Sequence, residues 1–172
     1  MTLLTDQTKS KLSKAVLGLI ASGALAGPIA HQFLQEREGL RTTAYQDGGG
    51  VWTICYGHTG DVYPGEVATK EDCDNQLSQD IDKAEVIVTK LVNVPMTEPQ
   101  RAAVISFCAY NIGPAKCKNS TFLKKLNAGD KVGVCQEIKR WIWDGKKDCR
   151  IKSNNCAGQV DRREMEAELC AM

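Results

Sequence analysis

Neither sign of charge dominates this 172-residue chain: 22 lysines and arginines stand against 21 aspartates and glutamates, leaving +1. That balance excludes the strongly basic footprint of a nucleic-acid binder. No CxxC pair occurs among the eight cysteines, which argues against a zinc site. No apolar run approaches the roughly 20 residues of an ordinary spanning helix. Internal repeats, low-complexity tracts and long linkers are also missing, so the chain reads as one globular domain, or two small lobes sharing a helix. Its one glycine run lacks the GxxxxGK[ST] pattern and opens no helix, which removes a phosphate cradle.

What is present starts with those cysteines. They are even in number, dispersed and many for the length, as in a disulfide-bonded protein of an oxidising compartment. Eight cysteines allow 105 pairings, and sequence alone does not choose among them. Lys9, Lys11 and Lys14 precede "AVLGLIASGALAGPIA" (15–30), 16 uncharged residues of which ten are Ala, Gly, Ser or Pro and six are bulky aliphatics. As a helix this segment reaches about 24 Å across a hydrocarbon core roughly 30 Å thick. Three readings stay open: a cleaved signal peptide, a helix buried in a soluble fold, or a weak anchor retained in the mature chain.

Residues 31–40 carry Phe33, Leu34 and Leu40 at helical spacing, with Arg37 and Glu38 directed elsewhere. Residues 42–58 read as extended around a Gly48–Gly49–Gly50 turn, the single β region expected. Beyond it the pattern is helical. Thr69 and Asp72 open a helix whose Cys73, Leu77, Ile81, Ala84 and Val88 share one face to about Leu91. "TEPQ" (97–100) is a capping box for a helix that buries Ala103, Val104 and Phe107 and stops at "NIGP" (111–114). Shorter helices are expected near 120–127, 130–142 and 160–170. The fold class is α+β: a small antiparallel sheet and a larger helical lobe.

Glu38, near a helix end, and Asp47, at a hairpin turn nine residues on, form the one pair with chemical promise. A hairpin lets two carboxyls face each other in unlike environments. Glycoside hydrolysis needs that asymmetry, since one group donates a proton while the other stays ionised. Thr53, on the return strand, has a hydroxyl suited to orienting water. On spacing alone, Asp47 is equally a turn residue and Glu38 a solvated helix residue. His58 reads as a structural hydrogen bond anchoring the sheet, and His31 as flanking the apolar segment. Trp141 and Trp143, taken as helical, point to different faces, so at most one lies near a ligand.

The run Glu38-Gly39-Leu40, Tyr45-x-Asp47, Trp52-Thr53-Ile54-x-Tyr56-Gly57-His58 closely resembles the active-site signature of the phage lysozymes, the T-even and lambdoid muramidases. "FCAYNIG" (107–113), "NSTFLKKLNAGD" (119–130), Trp141, Gly145 and "DRREMEAELC" (161–170) extend the resemblance to the C-terminus. It implies a lysozyme-like fold with a sheet lobe and a helical lobe joined by a helix. It implies muramidase activity on peptidoglycan, with Glu38 as general acid and Asp47 and Thr53 positioning water, and inversion at the anomeric carbon. Asn111 and Arg162 are the expected substrate-binding residues, Arg162 matching an arginine that faces the acid. No metal or organic cofactor is implied, nucleic acid is not a partner, and a monomer is expected.

The N-terminal segment further resembles that of the signal-anchor-release endolysins. This favours a weak anchor over residues 1–32, tethered to the inner membrane through residues 15–30, ahead of a catalytic domain over 33–172 exported to the host periplasm. Cysteine is where the chain departs from the simplest family pattern. A structural Cys55–Cys73 bond is favoured over redox control at Cys55. Proximity and lobe assignment suggest Cys108–Cys117, Cys135–Cys170 and Cys149–Cys156. The alternatives to a lysozyme are a lytic transglycosylase acting on the same bond and a non-catalytic wall-binding module.

Overall fold

The computed structural model describes residues 9–172; residues 1–8 of the N-terminal segment lie outside it. Helix α1 (Lys14–Ala21) is capped by Ser13, whose hydroxyl accepts from the Val16 N–H at 3.1 Å and donates to Glu36 at 2.7 Å. Gly23, at φ +75°, turns the chain, and α2 runs over Ala26–Glu38. The first N–H of α2 has no acceptor within the helix, and the Glu98 carboxylate takes it at 2.7 Å. The expected boundary at 32/33 therefore falls inside one continuous helix. Val16, Ala26, Ile29 and Ala30 are fully buried beside Phe33 and Leu34, so the apolar segment is part of the core in this structure. None of the described helices is long and apolar enough to cross a membrane.

Strands β1 (Arg41–Gln46), β2 (Trp52–Cys55) and β3 (His58–Thr59) form an antiparallel sheet in that order. Tyr45 pairs with Thr53, and Thr53 with Thr59, which puts the Asp47–Gly50 turn at one end of the sheet. Helix α3 (Lys70–Leu91) starts with a complete Thr69/Asp72 capping box and buries the five residues of its predicted apolar face. Asp74, on α3, collects bonds from three directions: Gln35 of α2, Tyr56 after β2, and Lys70 one turn back.

Thr97 caps α4 (Glu98–Val104) by accepting from Gln100 N–H at 3.1 Å, one half of the expected box. The chain then widens into a π-helical stretch over Ile105–Asn111 before Gly113 and Pro114 stop it. Short helices α5 (Pro114–Lys118), α6 (Thr121–Asn127) and α7 (Gly133–Ile138) lead to a second, two-stranded hairpin, β4 (Trp143–Asp144) with β5 (Lys147–Asp148). The end of α7 at Ile138 corrects the expectation of a helix to residue 142, and this hairpin corrects that of a single β region. Gly145, at φ +58°, supplies the positive φ that a two-residue loop requires. Trp141 and Trp143 consequently sit on no helix; Trp141 packs edge-on against Phe107 and Trp143 is exposed.

Helix α8 (Ala157–Cys170) closes the fold against α4 and α7. All eight cysteines are paired. Cys55–Cys73 ties β2 to α3, Cys108–Cys117 joins the π-helical stretch to α5, Cys135–Cys170 ties α7 to α8, and Cys149–Cys156 closes the loop before α8. Each such cross-link stabilises a domain by about 2–4 kcal/mol.

Two outcomes follow for stability. Ile29→Ala is expected to cost about 2–5 kcal/mol in a denaturant titration; no loss would mean that the N-terminal helices are not part of the cooperative core. The bond from Lys70 holds Asp74 below the usual carboxylate range. A depressed folded-state value contributes stability above the unfolded pKa, lost as pH falls through the folded one. Asp74→Asn is therefore expected to lose less stability than wild type on acidification below about pH 4, measured by melting temperature against pH.

Candidate active site

Glu38 is the last residue of α2, and Gly39, at φ +68°, swings the chain from it into β1. Its Oε1 lies 2.7 Å from Nη1 of Arg162, on α8. Behind this pair is a second one. Glu166, with no exposed surface, accepts from Arg162 Nε at 3.2 Å, from Ser106 Oγ at 2.7 Å, and from Arg163 Nη1. Arg163, also fully buried, donates to the Asn111 side-chain oxygen and, at 3.2 Å, to the Trp141 carbonyl. Its guanidinium stands 5.1 Å from the centre of the Phe107 ring. Buried charges persist only when paired and hydrogen-bonded; here three are buried, Arg162, Glu166 and Arg163, and acid and arginine alternate from the half-buried Glu38 inward. Burial works against the charge on Arg162, but Glu166 and then Glu38 more than offset it, so its pKa is raised.

The π-helical stretch supplies three of the surrounding side chains: Ser106, Tyr110 and Asn111. A π-bulge shifts the side chains after it around the axis, and such bulges recur at functional sites. The Tyr110 hydroxyl donates to the Tyr56 carbonyl, and burial, then Glu38, push its pKa up. Gly57, at φ +88°, leaves open the space beside the acid: a Cβ there would stand 3.9 Å from both Glu38 Oε2 and the Tyr110 hydroxyl. Glu38 Oε2 has no hydrogen-bond partner among the described residues. Tyr110 and Gly57 also line a cavity of about 220 Å³ that continues to Asp80 and Lys83 of α3.

Asp47 lies on the exposed β1–β2 turn, where its Oδ1 accepts from Gly49 N–H at 2.8 Å and Val51 N–H at 2.9 Å. It is thus a turn residue in fact, with Oδ2 left over. Thr53 is buried on β2, and its hydroxyl donates to the Val51 carbonyl at 3.0 Å, leaving lone pairs to accept from another donor. Neither has a hydrogen bond or ion pair to the Glu38–Arg162 cluster among the described residues; the sheet carries both. Asn111 joins the cluster through Arg163. Arg162 is nearly enclosed, and its contacts are protein carboxylates.

His58 bridges β3 to α3, with Nδ1 2.8 Å from Asp80 and Nε2 2.9 Å from Asp61. His31 reaches the Asp74 carbonyl at 3.2 Å, a tertiary contact in place of the flanking role expected for it. No group of three or more His, Cys, Asp or Glu that could hold a metal occurs among the described residues. Sequence reasoning missed Ser106, Tyr110, Arg163 and Glu166. Arg162 and Glu166 have the i, i+4 spacing and Arg163 and Glu166 the i, i+3 spacing of a solvated salt-bridged helix face, and only their burial shows otherwise.

The phage lysozyme family model matches residues 35–166. A SAR-endolysin of Escherichia phage 933W is 55% identical over 162 residues, 92% of each chain. A probable prophage lysozyme of Escherichia coli is 54% identical with the same coverage. Among solved structures, the muramidase domain of SpmX from Asticaccaulis excentricus superposes with a TM-score of 0.74 at 28% identity, over 95% of this chain and 99% of that one. The endolysin of Escherichia coli phage FAHEc1 superposes with a TM-score of 0.69 at 35% identity, over 82% and 89%.

His58→Ala, which deletes both contacts between β3 and the acidic side chains, is expected to lower stability by about 1–3 kcal/mol while turnover remains measurable. Loss of all turnover in a folded variant would instead give His58 a chemical role.

Proposed function

Because the chain belongs to the phage lysozyme family, as a peptidoglycan hydrolase of its SAR-endolysin subgroup, we propose that it cleaves the β-1,4 bond between N-acetylmuramic acid and N-acetylglucosamine. Glu38 is the general acid in this reading; Asp47 and Thr53 position the attacking water. The observation that carries it is the asymmetry of Glu38: Oε1 is held by Arg162, while Oε2 faces the space that Gly57 leaves open. A carboxyl held this way presents one oxygen to a leaving group in a fixed orientation. Asp47 has one oxygen committed to its turn, which fixes the side chain, and the other free to accept a proton from water. Water delivered by Asp47 and Thr53 to the face of the sugar away from the acid would invert the anomeric carbon.

Glu38→Gln is expected to lower clearing of purified peptidoglycan by about 10²–10⁴-fold with the fold intact by circular dichroism. Full activity in that variant would sink the assignment. Product analysis separates the alternative chemistry, since a lytic transglycosylase gives an anhydro sugar and would not need Asp47.

The second half of the proposal concerns residues 15–30, which act as a weak membrane tether that keeps the enzyme inactive until it leaves the bilayer. Two features support it. A Cβ at Gly18 or Gly27 would meet nothing within 4 Å, so the packed fold does not require glycine there. Low apolarity in a lipid-borne state is a requirement that would. In addition, α2 carries both the end of this segment and Glu38, so withdrawing Ala26, Ile29 and Ala30 into lipid strips core from the helix that holds the acid. Gly18→Leu/Gly27→Leu is expected to stay with the membrane fraction and delay lysis, with the melting temperature of the detergent-free, released full chain unchanged. Normal release and lysis would exclude weak anchoring as the control.

A further inference from the structure

Arg162 sets a problem for an acid catalyst. Arg162 Nη1 stands 2.7 Å from Glu38, and an arginine free to turn would take both carboxyl oxygens in a two-pronged clamp. Such a clamp would leave no oxygen carrying a proton. The geometry avoids it. Arg162 Nε is bonded to Glu166 Oε1 at 3.2 Å, and Arg162 Nη2 is buried with no acceptor among the described residues. The shortest contact to Glu38 is made by Nη1, at Oε1.

We propose that Glu166 is a positioning residue for the reaction: by holding the Nε edge of Arg162 it limits that arginine to one bond with Glu38, so that the acid is tethered through Oε1 while Oε2 carries and delivers the proton. This rests on the reading of Glu38 as the general acid. Glu166 is fitted for the task. It sits one turn beyond Arg162 on α8, it is fully buried, and Ser106 and Arg163 fix its oxygens from two other directions. Its charge also offsets that of Arg162 as felt at Glu38.

The other charged and titratable groups around the pair do not take over this role. Arg163, from α8, is the counter-charge of Glu166 on the side away from Glu38, and burial lowers its pKa while Glu166 works against that. Tyr110, from the π-helical stretch, keeps its phenol proton because burial, Glu38 and Asp80 of α3 all push its pKa up. Among the described residues Arg162 is therefore the one cation paired with the acid, and Glu166 is what governs it.

The test is the pH dependence of kcat and KM on soluble glycan strands for wild type, Glu166→Gln and Glu38→Gln, with a melting temperature for each. In Glu166→Gln the freed, uncompensated Arg162 should strip the proton from Glu38 at lower pH. The alkaline limb of kcat is expected to move down by about one unit, a loss of about tenfold along that limb, with KM within about twofold. Where the single change leaves Arg163 unpaired and the fold fails, Arg163→Gln/Glu166→Gln removes the buried charge together with its partner, and the same displacement is expected. A limb that stays at its wild-type pH in a folded variant, with only the melting temperature lowered, overturns the inference and makes Glu166 a core ion pair. Activity surviving in Glu38→Gln would overturn the assignment of the acid instead.

Discussion

Acids and arginines packed where α2, α8 and the π-helical stretch meet have to alternate along the row Glu38, Arg162, Glu166, Arg163, and most of the architecture can be read as meeting that constraint. An unpaired charge in such a place costs several kcal/mol, a large share of a domain's stability. Glu38, Arg162, Glu166 and Arg163 therefore fix one another, and with them the relative placement of the elements that carry them. The neutral partners at one end come from a single segment: Ser106 on Glu166 and Asn111 on Arg163. Disulfides brace the surroundings, Cys108–Cys117 next to Ser106 and Cys135–Cys170 at the far end of α8. The acid is thereby held by core. Asp47 is held by a turn, through two backbone N–H bonds. Support of such different stiffness suits the two roles proposed for them, since a proton donor needs one orientation whereas a carboxylate beside water needs mainly its charge and a free oxygen.

Local signals made the helices legible where a single face is buried throughout. The apolar face of α3 and its Thr69/Asp72 cap are both patterns of spacing, and spacing is visible in a sequence. The β1–β2 hairpin was legible because Gly48–Gly50 needs little context. The β4–β5 hairpin was not, since "WDGKKD" carries no alternation and its Gly145 resembles an ordinary loop glycine. Nor was the π-helical stretch, because "ISFCAYN" fits an α-helix equally well and only tertiary bonding selects the wider turn. At the site, Glu38 and Asp47 stood out by residue identity, not by spacing. Glu166 was hidden for a physical reason: a buried ion pair and a surface one have the same sequence pattern, and burial is decided by elements far away in the chain.

The N-terminal segment shows how one stretch of sequence can answer to two surroundings on the proposed reading. Moving Val16, Ile29 and their neighbours from lipid into a protein core changes little for apolar surface, because both media are apolar. The balance is then decided by polar groups. In the fold, Ser13 meets Glu36, Lys11 meets Glu164, and the first N–H of α2 meets Glu98, so three elements contribute carboxylates that lipid does not offer. Backbone geometry adds a second requirement. A lipid-borne segment has to be one unbroken helix, since nothing in the bilayer satisfies a freed carbonyl. The folded chain breaks the helix at Gly23, whose φ of +75° lets its own N–H return to Ile20 and that of Ala24 to Leu19. Glycine is the residue that adopts either backbone state without a steric penalty. Gly23 therefore differs in kind from Gly18 and Gly27: those two keep the segment weakly apolar, whereas Gly23 allows a single spanning rod to become two helices of a core.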